Sequence, residues 1–124
     1  MSEPILLEDL EIYQPALETG EYIWKIVDKW EYFPKKTLGG RFVEAADSIA
    51  ANISEGYGRY FYKDRKQFCN YSRGSLMETK TWVTKASNRQ LISTEQFDSL
   101  IEKLKALPFK LNNYIKKLKQ NANA

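Results

Sequence analysis

Helical periodicity is the feature that most constrains the fold of this chain. Apolar residues recur at spacings of three and four, and no stretch shows sustained alternation with a period of two. The periodic stretches, each long enough for a helix, cover about residues 12–33, 38–56, 63–87 and 93–119. Because the connections between them are short, consecutive helices are expected to lie antiparallel. The pattern predicts an all-α fold, an antiparallel up-down-up-down four-helix bundle.

The length of 124 residues allows one domain with one hydrophobic core. Residues 1–124 are therefore predicted to form a single domain with frayed ends at 1–9 and 120–124. The first residues, Met-Ser-Glu-Pro, lack the basic and apolar segments of a signal peptide, and the longest apolar runs cover only a few residues. We expect a cytoplasmic protein with no membrane segment.

Three prolines predict where the helices begin, bend or end. Pro15 fits a helix only in its first turn, where backbone N–H groups have no intrahelical partner. Pro34 is expected to end the first helix, because the residue before a proline is disfavoured in the α region. Pro108 interrupts the fourth periodic stretch and predicts a kinked helix or one split in two.

Two further signals predict helix ends. Gly56 and Gly58 follow the second periodic stretch and predict left-handed residues that terminate the helix. Ser93 and Gln96 have the spacing of a capping box, in which each side chain bonds the backbone N–H of the other residue. The fourth helix is therefore expected to begin at Ser93.

The chain contains no histidine and one cysteine. It therefore cannot build a Ser-His-Asp triad, a Cys-His pair or a His-containing zinc site by itself. A glycosidase-like pair of Glu55 and Glu78 is the remaining acid/base option, but nothing in their spacing indicates a substrate cleft. We expect no catalytic residues, no metal site and no cofactor.

The remaining thiol and the tryptophans are interpreted as packing residues. Cys69 lies in an apolar stripe and is predicted to be a small core residue rather than a reactive thiol. A single cysteine also rules out an intrachain disulfide and fits a reducing compartment. Trp24, Trp30 and Trp82 are predicted to be anchors of the core or of an interface.

Charge is distributed very unevenly along the chain. The first 34 residues carry two lysines against eight acidic residues, whereas residues 59–89 carry eight lysines and arginines against two. The net charge of +3 hides this asymmetry. It indicates complementarity within or between subunits, with basic surface left for an anionic partner, although solvated helix faces would give the same pattern.

A polar stripe runs beside the apolar seam of the second helix. Ser48, Asn52 and Glu55 are spaced four and three apart, and Glu78 of the third helix is expected to join them in a structural polar network. A ligand or partner site is the alternative interpretation. A carboxylate near a helix C-terminus is unfavourable, so Glu55 is expected to have a cationic partner, for which the candidates are Arg41, Arg59 and Arg73.

Cations alternate with aromatic residues between the second and third helices, as in proteins that bind single-stranded nucleic acid. The alternative is a loop whose aromatic rings plug the bundle end or a subunit interface. The lysines of the fourth helix (Lys103, Lys105, Lys110, Lys116, Lys117 and Lys119) are interpreted as scattered solubility charges. Arg73 and Lys80 could form a basic ridge on the third helix. With them, the candidate nucleic-acid contacts are Arg59, Lys63, Arg65, Lys66, Arg73 and Lys80.

Two motifs carry a resemblance to a known family. AADSIAANISEGYGR at residues 45–59 and FCNYSRGSLMETKTWVTKA at residues 68–86 resemble the 23S rRNA intervening-sequence proteins. The resemblance implies a four-helix bundle that assembles into a cyclic homopentamer, encoded within inserts of bacterial ribosomal RNA genes. The resemblance implies no enzymatic activity. In a related branch, the accessory proteins of diversity-generating retroelements, it implies a basic pentameric barrel that binds nucleic acid and a reverse transcriptase.

One departure from the family pattern bears on nucleic-acid binding. Many members carry two adjacent basic residues just before the paired alanines, where this chain has Val43 and Glu44. Arg41 is the only nearby cation, so contacts made by those basic residues elsewhere do not transfer. The expected function is a non-enzymatic homo-oligomer that binds RNA or DNA through a basic surface. The alternative is a protein-binding adaptor or structural oligomer.

Overall fold

The computed structural model describes residues 5–122, and this part of the chain contains helices but no strand. A 3₁₀ turn, Leu7–Asp9, precedes the bundle. The helices are α1 Tyr13–Asp28, α2 Gly40–Tyr57, α3 Tyr62–Asn88 and α4 Thr94–Ala122. A short α-helical turn Tyr32–Pro34 and a π-helical turn Lys35–Gly39 lead into α2. The predicted all-helical class with four main helices is confirmed.

The four helices close into an antiparallel bundle around one core. Helix α1 packs against α2 and α4, α2 packs against α3, and α3 packs against α4. The core residues include Ile23 and Val27 of α1, with further buried side chains on every helix: Phe42, Ile49, Ile53, Leu76, Val83, Leu104, Leu107 and Leu111. Spacings of three and four bring these side chains to the inner face of each helix.

Helix α1 is shorter than the sequence predicts, and Pro34 does not end it. The helix stops at Asp28, whose carbonyl oxygen accepts a hydrogen bond of 2.9 Å from Lys35 Nζ. Glu31 is then extended, with φ −62° and ψ 163°. Pro34 lies third in the following helical turn, a position where a missing N–H costs no hydrogen bond. Pro34 therefore lies in the short helical turn that leads into α2.

The glycines at the end of α2 act through close packing rather than through left-handed backbone. Gly56 lies inside the helix, and a Cβ placed there would stand 2.8 Å from Phe68 Cβ. Gly58 follows the helix with φ −75°, and no described glycine has positive φ. The predicted left-handed termination is therefore wrong, and Gly56 instead allows α2 and α3 to approach closely.

Helix α4 continues without interruption across Pro108, so it is not split in two. Its start has the predicted capping box: Gln96 N–H donates to Ser93 Oγ at 3.1 Å, and Ser93 N–H donates to Gln96 Oε1 at 2.9 Å. The helix extends to Ala122, three residues beyond its predicted end at 119. Of the ends predicted to fray, residues 1–4 and 123–124 lie outside the described residues.

Candidate nucleic-acid interface

Arg59 is fixed by contacts within its own chain. Its Nη2 lies 2.6 Å from Glu55 Oε1, and its guanidinium sits 4.9 Å from the ring centroid of Phe68. Of the three cations considered as partners for Glu55, the structure selects Arg59. This ion pair offsets the unfavourable position of a carboxylate in the last turn of α2.

Arg65 is also occupied by an internal contact. Its Nε donates a hydrogen bond of 2.5 Å to the carbonyl oxygen of Arg59, and its side chain is half-buried beneath the connection between α2 and α3. The N–H groups of Asp64 and Arg65 both donate to the carbonyl oxygen of Phe61 at 3.1 Å. These bonds hold the connection and the start of α3 in one conformation.

Arg73 joins two helices. Its Nη2 donates a hydrogen bond of 2.7 Å to Asn112 Oδ1, which joins the side chains of residue 73 of α3 and residue 112 of α4 across the groove between the helices. The arginine is half-buried between the helices. Three of the six predicted contact residues, namely Arg59, Arg65 and Arg73, thus have structural partners.

The three lysines of the predicted set differ from the arginines. Lys63, Lys66 and Lys80 are exposed and form no ion pair with any residue of 5–122. Lys66, Arg73 and Lys80 are spaced by seven residues, nearly two helical turns, so they form one row along α3. Lys63 lies on the outer surface of the same helix, beside the start of this row.

A second row of polar and basic residues faces the first from α4. Lys105, Asn112 and Lys119 are also spaced by seven residues, and both lysines are exposed. Since the helices are antiparallel and the side chains of Arg73 and Asn112 meet, Lys66 and Lys119 lie toward one end of the groove and Lys80 and Lys105 toward the other. The two rows flank the groove between α3 and α4 over about 21 Å.

We call this surface the basic face, defined by Lys66, Arg73, Lys80, Lys105 and Lys119. The interpretation of the α4 lysines as scattered charges missed two of its members, Lys105 and Lys119. The signal that could have found them is the same heptad spacing that connects Lys66, Arg73 and Lys80. Relating the two rows also required the packing of α3 against α4, to which the contact between Arg73 and Asn112 belongs.

The four residues expected to form a polar network do not connect with one another as a single cluster. Ser48 Oγ donates to Glu44 O at 2.7 Å, Glu55 pairs with Arg59, and Glu78 Oε1 accepts a bond of 3.2 Å from Trp82 Nε1. Asn52 Nδ2 donates to the carbonyl oxygen of Ser48 at 2.9 Å and reaches α3 at Ser75 Oγ, 3.5 Å away. Most of these partners lie one turn away on the same helix.

The buried polar link between α2 and α3 uses a different residue. Ser72, fully buried, donates a hydrogen bond of 2.8 Å from Oγ to the carbonyl oxygen of Ile49. Glu55 and Glu78 are not brought together: Glu78 lies ten residues beyond Phe68, the contact of Gly56, so the two carboxylates are about 15 Å apart along the bundle. Among residues 5–122, no three side chains of metal-binding type cluster.

The opposite side of the bundle carries an open groove of about 460 Å³ between α1 and α2. Its apolar lining includes Trp24, which is 57% exposed and therefore not a core anchor. Three carboxylates, Asp28, Glu44 and Asp47, line it together with one cation, Lys35, whose Nζ lies 3.5 Å from Asp28 Oδ1, so carboxylates predominate. Partial burial, and secondarily the nearby charge of Glu21, raises the pKa of Asp47. We call this surface the acidic groove.

The other packing residues lie inside the bundle or at its surface layer. Trp30 and Trp82 are half-buried, and Trp30 stacks at a tilt against Phe42 with ring centroids 6.1 Å apart. Cys69 is buried, as its apolar stripe predicts, and burial raises the pKa of its thiol to about 11. In the described part of the chain, no helix is long and apolar enough to cross a membrane.

Comparison with known proteins identifies the family. The profile of the 23S rRNA-intervening sequence protein family matches residues 8–113. A crystal structure from Bacteroides thetaiotaomicron, described as a protein with unknown function from the S23 ribosomal protein family, has the same fold with a TM-score of 0.75. It is 22% identical, and the match covers 85% of this chain and 98% of that one. No curated protein matches. The chain belongs to the 23S rRNA-intervening sequence protein family.

Proposed function

We propose that this protein is a non-enzymatic homo-oligomer that binds RNA or DNA through the basic face. The observation that supports this proposal is that four exposed lysines, Lys66, Lys80, Lys105 and Lys119, flank the α3–α4 groove that the contact between Arg73 and Asn112 bridges. Exposed lysines that form no ion pair with residues 5–122 are available to neutralise phosphates, and such contacts supply most of the affinity for nucleic acid.

The distribution of charge over the bundle also supports this assignment. The basic face belongs to α3 and α4, whereas the acidic groove belongs to α1 and α2 on the other side. A polyanion would be attracted to one side of the protomer and repelled from the other, which orients its approach. Because Arg59, Arg65 and Arg73 are held by contacts within the chain, the exposed lysines are the residues to test for nucleic-acid binding.

The experiment compares two double variants with equal change of charge. Lys80→Glu/Lys105→Glu reverses the charge of two lysines of the basic face, one on each side of the groove. Lys25→Glu/Lys29→Glu reverses the charge of two exposed lysines elsewhere, one in α1 and one directly after it. At low salt, the first variant should lose at least about tenfold in affinity for a labelled RNA, whereas the second should bind much more tightly than the first. If the two variants bind the RNA with equal affinity, the basic face is not the nucleic-acid site.

We further propose that the oligomer is the homopentamer that the family resemblance implies. A heterologous contact, in which two different surfaces of neighbouring protomers meet, closes into a ring when the rotation between neighbours allows it, and it leaves the basic face open if it uses the α1–α2 side. Trp24 is the exposed aromatic residue on the acidic side and the natural anchor for such a contact. Sedimentation should give five protomer masses for the wild type and smaller species for Trp24→Ala; a stable wild-type monomer would contradict the ring.

A protein-binding role is the second candidate, supported by the acidic groove. An apolar lining rimmed by carboxylates suits a basic amphipathic segment of another protein, such as a reverse transcriptase, better than it suits a polyanion. The two functions predict different effects of reversing charge on the basic face. If Lys80→Glu/Lys105→Glu breaks the oligomer, the basic face is a protein interface; if the oligomer persists and RNA is lost, it is the nucleic-acid site.

A further inference from the structure

Two aromatic rings project from the connection between α2 and α3, at the end of the basic face. Tyr60 is 87% exposed and Phe61 is 65% exposed, and their rings meet edge to face with centroids 5.0 Å apart. An exposed apolar patch rimmed by charged residues marks an interaction site, and this pair stands beside the exposed lysines at the start of α3. Neither ring contributes to the buried core of the bundle.

The segment that carries these rings is held by several bonds. The N–H of Gly58 donates to Ser54 O and the N–H of Arg59 donates to Gly56 O, both at 3.1 Å. Beyond the rings, Arg65 Nε bonds the carbonyl oxygen of Arg59. Arg59 and Arg65 thus hold the backbone of the connection in one conformation. The rings of Tyr60 and Phe61 therefore lose little conformational freedom when a ligand binds them.

Cations and a further ring continue from this segment along the same surface. Lys63 and Lys66 are exposed in the first turns of α3, directly after the rings. On α4, Phe109 is 70% exposed and follows Lys105 by four residues, on the outer edge of the basic face. The surface therefore alternates positive charge with flat apolar rings.

We infer that the basic face takes single-stranded nucleic acid, with unpaired bases stacked on Tyr60 and Phe61 and phosphates held by Lys63 and Lys66. This inference rests on the proposed function and names the form of nucleic acid that the site prefers. A duplex offers its phosphates but keeps its bases stacked inside, so projecting rings add nothing to its binding. Unpaired bases gain a stacking surface, and stacking tolerates any base.

The experiment measures binding of the full-length oligomer to two labelled probes, an oligouridine and an RNA duplex of the same length. Tyr60→Ala/Phe61→Ala should lose about fivefold or more in affinity for the oligouridine per ring, with duplex affinity unchanged. The chain supplies a matched control, Tyr32→Ala/Phe33→Ala. These residues are also a Tyr-Phe pair, 74% and 73% exposed, but lie at the other end of the bundle. The control should bind both probes like the wild type.

A second pair of variants separates stacking from general hydrophobicity. Tyr60→Trp/Phe61→Trp should retain the affinity for oligouridine, and Tyr60→Leu/Phe61→Leu should lose it as the alanine variant does. If leucine serves as well as tryptophan, or if the alanine variant changes the oligomer mass, the rings belong to a protein contact and the inference is wrong.

The outcomes also separate this inference from the function on which it rests. If Lys80→Glu/Lys105→Glu abolishes binding of both probes while Tyr60→Ala/Phe61→Ala changes neither, the basic face binds nucleic acid but the stacking inference is overturned. If the wild type binds neither probe at low salt, the proposed function fails and the inference fails with it.

Discussion

Arg73 of α3 donates a hydrogen bond of 2.7 Å to the side-chain oxygen of Asn112 on α4. This contact bridges the groove between the two antiparallel helices near the middle of the basic face. Seven residues from it in either direction, each helix carries a lysine: Lys66 and Lys119 toward one end of the groove, Lys80 and Lys105 toward the other. The functional account depends on this arrangement, because lysines that did not flank one groove would be separate surface charges.

Asn112→Asp separates the structural role of this contact from the charge of the basic face. A carboxylate at residue 112 still accepts the hydrogen bond from Arg73, so the free energy of unfolding should be unchanged or rise by up to about 1 kcal/mol. The added negative charge should nevertheless lower RNA affinity at low salt. Gln14→Glu on α1 is the control of equal charge, and its RNA affinity should exceed that of Asn112→Asp. Chemical denaturation and RNA titration of both variants test the prediction.

Gly56→Ala and Gly74→Ala should change stability in opposite directions. A Cβ at residue 56 would stand 2.8 Å from Phe68 Cβ and 3.2 Å from the carbonyl oxygen of Arg65, so α2 and α3 would have to separate. A Cβ at residue 74, in the middle of α3, meets no atom within 4 Å. Gly74→Ala should therefore raise the free energy of unfolding by about 0.5–1 kcal/mol. Gly56→Ala should lower it by about 1–3 kcal/mol.

Thermal unfolding of the two glycine variants provides the comparison. Equal melting temperatures would contradict the close approach of α2 and α3 at Gly56. An equal rise in both variants would show that helix propensity alone governs these positions.

Tyr114→Phe should stabilise the protein. The phenol oxygen of Tyr114 is buried and has no hydrogen-bond partner among the described residues. Burial, and secondarily the neighbouring Cys69 thiol, raises the pKa of Tyr114 to about 12. Removing an unsatisfied buried hydroxyl should raise the free energy of unfolding by about 1 kcal/mol at neutral pH. A loss of stability in denaturant titrations would mean that the hydroxyl has a bonding partner in solution.

Cys69 should make stability fall in alkaline solution. Its folded-state pKa of about 11 exceeds the ordinary value of 9.0 because the thiol is buried, although nearby Arg73 lowers it in part. The folded state therefore keeps the proton more tightly than the unfolded chain. The stabilising contribution is complete below pH 9 and is lost as the pH rises from 9 to 11. In Cys69→Ala, the free energy of unfolding should fall less steeply over this interval than in the wild type.

The local parts of this fold could be predicted from sequence, because their signals lie within a few residues. The capping box of Ser93 and Gln96 needs only a spacing of three, and the burial of Cys69 follows from its apolar stripe. Pro34 misled the prediction because a proline suits the first turn of a helix as well as the end of the one before it. The sequence alone does not distinguish these two positions.

The sequence predicts which cations lie near the candidate site, but not which of them are exposed and which bind their own chain. Both the arginines and the lysines of the α2–α3 region carry the charge that phosphate binding needs. Arg59 and Arg65 nevertheless bind their own chain, since the connection brings Glu55 and a free carbonyl group within their reach. The part played by Lys105 and Lys119 depends on helix register, which arises from packing between segments distant in sequence. Periodicity along one helix does not contain that information.

The salt dependence of RNA affinity tests the central claim, that the basic face binds nucleic acid, most directly. Plotted as the logarithm of the binding constant against the logarithm of salt concentration, the wild type should fall with a slope of about −2.8 if the four lysines of the basic face neutralise phosphates of a single strand. Neutralising two of them in Lys80→Ala/Lys105→Ala should make the slope shallower by about 1.4. A wild-type protein that retains no RNA at low salt, or a slope unchanged by removing these lysines, would contradict the account.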